Sequence, residues 1–128
     1  MGCDIHCYFE AKKHYRYGDE WSCLGEVLES RHYSRFGVLA GVRRPDVQVF
    51  PLRGTPKDCS EMVSDAEGKW GLDLHSSSYI TMEEIINHDW TGEQVMAVGI
   101  DFFMELGAYL RMSGREPKDA RIVFWFDN

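Results

Sequence analysis

Near the end of the chain stands Arg121-Ile122-Val123-Phe124-Trp125-Phe126, and this run constrains the fold more than any other segment. β-Branched and aromatic residues favour extended backbone, and here they follow one another without alternation. A strand apolar on both faces has to be covered on both sides, so it belongs in the middle of a sheet. At the other end of the chain, Cys3, Ile5, Cys7 and Phe9 alternate with Asp4, His6, Tyr8 and Glu10. That period of two is the signature of a strand with one buried face. The two terminal strands are therefore expected to be neighbours, closing the chain into one unit. With 128 residues it fits a single domain, 1–128, since compact domains most often hold about 100–150.

Between these strands the pattern changes character. Trp21 to Val27 reads as a second strand returning in a hairpin after a polar, turn-like stretch. Ser30 to Val42 reads as a short helix that Arg43-Arg44-Pro45 stops. Pro45, Pro51 and Pro56 make residues 45–58 an irregular connection, and 56–67 holds a weak helical turn that breaks over 68–71. Leu72 to Ile80 is extended with a polar centre. Thr81 and Glu84 then form a capping box ahead of a helix to about His88. Glu93 to Met112 is the longest periodic segment; its apolar residues wrap most of a cylinder, which predicts a largely buried helix ending at Gly114. Gly99 and Gly107 would permit close approach. The expected class is α+β: a single small, mainly antiparallel sheet with adjacent N- and C-terminal strands, packed by a long buried helix and shorter helices.

Charge narrows the partners. Lys plus Arg is 14 against 21 Asp plus Glu, a net −7 with neutral histidines. Coating duplex nucleic acid or an anionic membrane needs a basic surface, so both classes lose support, while a local phosphate pocket does not. No apolar run approaches the roughly 18 residues of a membrane span, and no signal segment opens the chain. Cys3, Cys7, Cys23 and Cys59 lack the spacing of a disulfide framework, and no Cys-x-x-Cys is present. A reducing cytoplasm is the expected setting.

Chemistry concentrates in a few residues. Asp4 and His6 lie two apart and leave one face of their strand; Asp73 and His75 repeat the spacing; Asp127 ends the last strand. Imidazole and carboxylate together suit a divalent metal such as Zn or Mn, so Asp4, His6, His75 and Asp127 form a candidate ligand set. His75 and Asp73 are the candidate catalytic residues, Asp73 orienting an imidazole. Arg53, beside Gly54, is a candidate phosphate contact, with Tyr79 and Trp70 as aromatic partners for a bound base. Asp101 and Glu105 form an acidic i, i+4 pair, read as a solvated stripe. Walker, Gly-x-Gly-x-x-Gly and Gly-x-Ser-x-Gly motifs are all missing. Three readings of the polar set stay open: local structural bonding, a metal site, and a metal-free ligand site. The leading functional expectation is a metal-assisted phosphodiesterase acting on a nucleotide or cyclic nucleotide; the alternatives are an oligomeric protein that sequesters such a ligand intact and an acidic protein–protein inhibitor of host defence.

The opening Met1-Gly2-Cys3-Asp4-Ile5-His6 and the closing Arg121-Ile122-Val123-Phe124-Trp125-Phe126-Asp127-Asn128 resemble the ends of a family of small uncharacterised bacteriophage and bacterial proteins. The likeness continues through Phe36-Gly37-Val38-Leu39-Ala40-Gly41-Val42-Arg43, Arg53-Gly54 before Pro56, and His75-Ser76 ahead of an acidic helix. Members of that family often carry His-Ser-His-Ser where this chain has His75-Ser76-Ser77-Ser78. The resemblance implies a phage context, which makes the host cytoplasm the expected setting and groups the polar residues already named; a nucleotide signal of host defence is the ligand that the functional readings above would then take.

Overall fold

The computed structural model describes residues 2–15, 18–27, 30–69 and 71–128. Four strands form one antiparallel sheet: β1 (Asp4–Tyr15), β2 (Gly18–Glu26), β3 (Leu74–Thr81) and β4 (Ala120–Asp127), in the order β2-β1-β4-β3. β4 lies between β1 and β3, and each of its residues is buried. That is where its unbroken apolar run has to go. The chain ends pair directly, Asp4 opposite Asp127 and Ile5 opposite Phe126. The class is α+β, with the terminal strands adjacent.

Register assigns the two faces. Ile5, Cys7, Phe9, Phe124 and Phe126 share one face, and they pack against Phe36 and Leu39 of α1 (Tyr33–Ala40), Ile85 of α3 (Met82–Asn87), Val98 of α4 (Gly92–Val98) and Phe102 and Leu106 of α5 (Ile100–Ser113). Fully burying a side chain such as Phe or Leu contributes about 1.5–3 kcal/mol, so this layer dominates the fold's stability. Thr81 caps α3 with both halves of the capping box formed, as its spacing predicts, and Thr91 with Gln94 does the same for α4.

Two expectations need correction. The alternation of β1 implied a solvated second face, yet Tyr8 and Glu10 are buried there. A second layer covers them: α2 (Glu61–Gly68) brings Val63 and Ala66 against Tyr8, Val123 and Trp125. The segment 93–112 is also not one buried helix. It breaks at Gly99, whose φ of +95° ends α4 and begins α5. The buried Arg35 fills that corner, donating from Nε to the Val98 carbonyl at 2.6 Å. A Cβ at Gly99 would stand 2.7 Å from Asp101 Oδ1 and 3.1 Å from Arg35 Nη2. The apolar residues all round this segment reflect an exposed surface, with Met96, Ile100 and Met104 in solvent. No helix among the described residues is long and apolar enough to cross a membrane.

Candidate functional site at the end of the sheet

Pairing Asp4 with Asp127, and Asp127 with Leu74, brings both chain termini and the start of β3 to one end of the sheet. On the face that α2 covers, His6 reaches diagonally to the residue two beyond its partner Trp125, within the span that cross-strand diagonals allow. His6 Nε2 donates to Asp127 Oδ2 at 2.5 Å, and each of these side chains is 13% exposed. The His6 ring stacks on Trp125, and Trp125 on Tyr8, with centroids 5.8 and 5.5 Å apart. Asp4, on the same face, takes a forked contact from Arg31, Nε to Oδ1 at 2.7 Å and Nη2 to Oδ2 at 3.3 Å. That hydrogen-bonded guanidinium holds the Asp4 carboxyl below its usual range.

His75 belongs to the opposite face. It pairs with Phe126, one residue out of step with Asp127, and stacks on that ring. Its Nε2 lies 3.2 Å from Asn128 Oδ1 and its Nδ1 3.0 Å from Ser76 Oγ. An imidazole donating from Nε2 and accepting at Nδ1 satisfies both. Cys3 Sγ is 4.0 Å from the same Nε2. Burial pushes the Cys3 thiol up, and the nearby charge of Arg43 opposes the shift. The only non-glycine residues with positive φ among those described, Arg43 (+64°) and Ser76 (+55°), both touch this cluster. Backbone strain of this kind, of order 1–3 kcal/mol each, gathers at sites that use it.

The strain at Ser76 marks a bulge. Residues 76 and 77 of β3 stand opposite Trp125 alone, because His75 pairs with Phe126 and Ser78 with Phe124. Bulges re-aim side chains, and this one turns His75 towards Cys3 and Asn128. Ser77 Oγ and Trp125 Nε1 are buried here without a hydrogen-bond partner among the described residues. Orphan polar groups of this kind call for water or a ligand.

Of the proposed metal ligands, then, the structure brings Asp4, His6 and Asp127 to one face and places His75 on the other. Among the described residues no three His, Cys, Asp or Glu side chains are grouped to hold a metal ion. Asp73 lies exposed in a single helical turn before β3, and no hydrogen bond joins it to His75. Arg53 is committed elsewhere: Nη1 donates to Glu84 Oε1 at 2.7 Å, Nη2 donates to Glu84 Oε2, and the guanidinium lies 5.1 Å from the centre of the Tyr79 ring. This pairing, with the Thr81 bonds, lowers the Glu84 carboxyl to about 2. Arg53 and Gly54 also donate backbone amides to Ser78 Oγ and the Ser77 carbonyl, so the loop seals the outer edge of β3. Trp70 lies outside the described residues.

Sequence reasoning passed over Arg31, Arg43 and Asn128 as members of this end. It also missed the ion pair in mid-sheet, where Arg121 Nε donates to Glu10 Oε1 at 2.8 Å and the Ser60 amide donates to Oε2 at 2.7 Å. Arg121 Nη2 is 3.1 Å from Asp58 Oδ1, close enough for attraction but not aligned as a hydrogen bond. Its guanidinium lies 3.7 Å from the centre of the Trp21 ring. Compared with protein-family models, curated proteins and solved structures, the chain matches none.

Proposed function

We propose that the chain binds a small phosphate-bearing metabolite of the nucleotide class at this end of the sheet and holds it intact. The observation that carries the reading is the His6–Asp127 pair, contributed by the two ends of the chain and left partly open to solvent. Arg31 stands beside it on the same face, and Arg43 and His75 lie at the same end of the sheet on the other face, cationic and donor groups on a chain of net charge −7. Guanidinium and imidazole donors suit phosphate oxygens. The resemblance to phage proteins suggests where this matters: the host cytoplasm, with a nucleotide signal of host defence as ligand.

Asp4, His6, His75 and Asp127 do not fit a single metal ion. His75 leaves the other face, Arg31 occupies Asp4, and the His6 nitrogen that would ligate is bonded to Asp127. The second reading, a phosphodiesterase, keeps in its favour that Asp4, His6 and Asp127 share one face.

Calorimetry against a panel of linear and cyclic nucleotides, with and without EDTA, separates the two. Binding that survives EDTA, with the ligand recovered unchanged by chromatography, is the expected outcome. His6→Ala and Arg43→Ala should then each weaken binding at least tenfold. Turnover abolished by EDTA would establish the phosphodiesterase instead, and no binding to any nucleotide removes both.

A further inference from the structure

Two arginines flank α1 in the sequence, and they reach opposite faces of one sheet end. Arg31 stands two residues before the helix and Arg43 three residues after it. Between them α1 spans about 12 Å. Arg31 gives Nε and Nη2 to Asp4 and keeps Nη1 for other acceptors, on a side chain 57% exposed. Arg43, exposed as well, crosses the Tyr33 ring 5.1 Å from its centre and hydrogen-bonds the Cys3 sulfur. Cys3 and Asp4 are consecutive, so their side chains leave opposite faces, Cys3 into the main core and Asp4 beside His6.

The other end of the chain repeats the division. Asp127 accepts from His6 on one face, and the next residue, Asn128, accepts from His75 on the other, at 3.2 Å. Each face therefore carries one guanidinium and one imidazole: Arg31 with His6, Arg43 with His75. The two acids at this end, Asp4 and Asp127, are each matched by a donor on their own face. Side chains on one face stand about 5 Å from the sheet plane, half the spacing of stacked sheets, so the two donor groups are about 10 Å apart.

This separation selects among nucleotides. A single phosphate engages one face only. A pyrophosphate does no better, because its two phosphorus atoms share a bridging oxygen. Phosphates separated by a sugar or a nucleoside can engage both, and the second contact is then intramolecular and adds affinity without any new group. We infer that the ligand carries two separated phosphates, one held on each face of the sheet end, as a nucleoside 3′,5′-bisphosphate or a dinucleotide would present them. The inference rests on the nucleotide reading above and narrows it.

The test is calorimetry on the full chain with four probes, each made with adenine and with guanine: the 5′-monophosphate, the 5′-diphosphate, the 3′,5′-bisphosphate and the 5′-phosphorylated dinucleotide. The diphosphate has as many phosphates as the bisphosphate but holds them adjacent, so it controls for charge. At least one separated-phosphate probe should bind at least tenfold more tightly than the diphosphate, and which of them does so tells a bisphosphate from a dinucleotide. Arg43→Ala should bring that probe down to the level of the diphosphate, while the diphosphate itself changes less than twofold. If circular dichroism shows that Arg43→Ala disturbs the fold, His75→Phe replaces it, because phenylalanine keeps the stack on Phe126 and drops the donor; the loss should then be at least threefold. Equal binding of the diphosphate and both separated-phosphate probes would put the ligand on one face and overturn the inference, with the nucleotide reading intact. An advantage that survives the substitution would overturn it too. If no probe binds, and no other nucleotide does, the nucleotide reading falls and takes this inference with it.

Discussion

β1 and β4 exchange two acid–base contacts, and they have opposite characters. Glu10 and Arg121 pair in mid-sheet with their side chains 0% and 5% exposed, sealed beneath Trp21 and the start of α2. His6 and Asp127 pair at the sheet's end, where solvent still reaches both. A charge pair withdrawn from water gains little net stability over apolar replacements, but breaking it strands a charge and is severe. A pair at an open end loses less when broken and keeps groups that can exchange partners. The same two strands thus hold one contact that fixes register and one that remains available for chemistry.

Removing one partner of the sealed pair gives the largest effect. Arg121→Ala leaves Glu10 buried with only the Ser60 amide, and should cost about 3–5 kcal/mol, read as a lower urea midpoint at an unchanged slope. The double replacement Glu10→Met with Arg121→Leu should recover most of that loss. A single-mutant cost near 1 kcal/mol would show that water enters the mid-sheet, and the contrast with the sheet end would collapse.

At the open end, His6→Ala removes one charged hydrogen bond and should cost about 1.5–3 kcal/mol by the same measurement. A loss matching that of Arg121→Ala would mean the end pair is as structural as the mid-sheet one, leaving it no group to spare for a ligand.

The adjacency of these strands is legible in the sequence because it depends on pattern alone: alternation in 3–10 and the unbroken apolar run of 121–126. What covers the second face is not. α2 supplies only Val63 and Ala66 to that layer, too few apolar residues in Glu61–Gly68 to announce a packed helix, so Glu10 reads as a surface residue. The candidate site is legible by composition and not by side. Asp-x-His marks Asp4, His6 and His75, but the bulge at Ser76 decides which face His75 leaves, and that bulge needs positive φ at a serine, which no local preference signals. The break at Gly99 hides for a related reason. A glycine within an apolar period looks like tolerated helix until Arg35, distant in sequence, fills the corner.

A third pair lies further towards solvent and extends the comparison to pH. Arg53 holds Glu84, whose folded-state value of about 2 lies below the ordinary 4.5. A lowered acid stabilises the fold above its unfolded value, and that stability drains away as pH falls from about 4.5 through 2. Solvent screens the pair, with side chains 29% and 34% exposed, so the stake is roughly 1–2 kcal/mol. Arg53→Ala should therefore cost that much at pH 7 and converge on the wild-type urea midpoint near pH 2. A gap that stays constant across this range would assign the effect to packing of the arginine on Tyr79 instead of to charge.

The smallest effect belongs to the pair most open to water. Arg31 and Asp4 form a forked contact with both side chains about half exposed. Desolvation is slight there, so the attraction is weak and salt screens what remains. Arg31→Ala should leave the urea midpoint where it is, at low and at physiological ionic strength alike. Its consequence should appear in binding. Freed from Arg31, Asp4 presents an unneutralised carboxylate beside His6 and Asp127, so affinity for any phosphate-bearing ligand should fall at least tenfold while stability holds. If the midpoint drops and affinity does not, the arginine anchors the chain's N-terminal strand, and the open end of the sheet owes its charge to architecture.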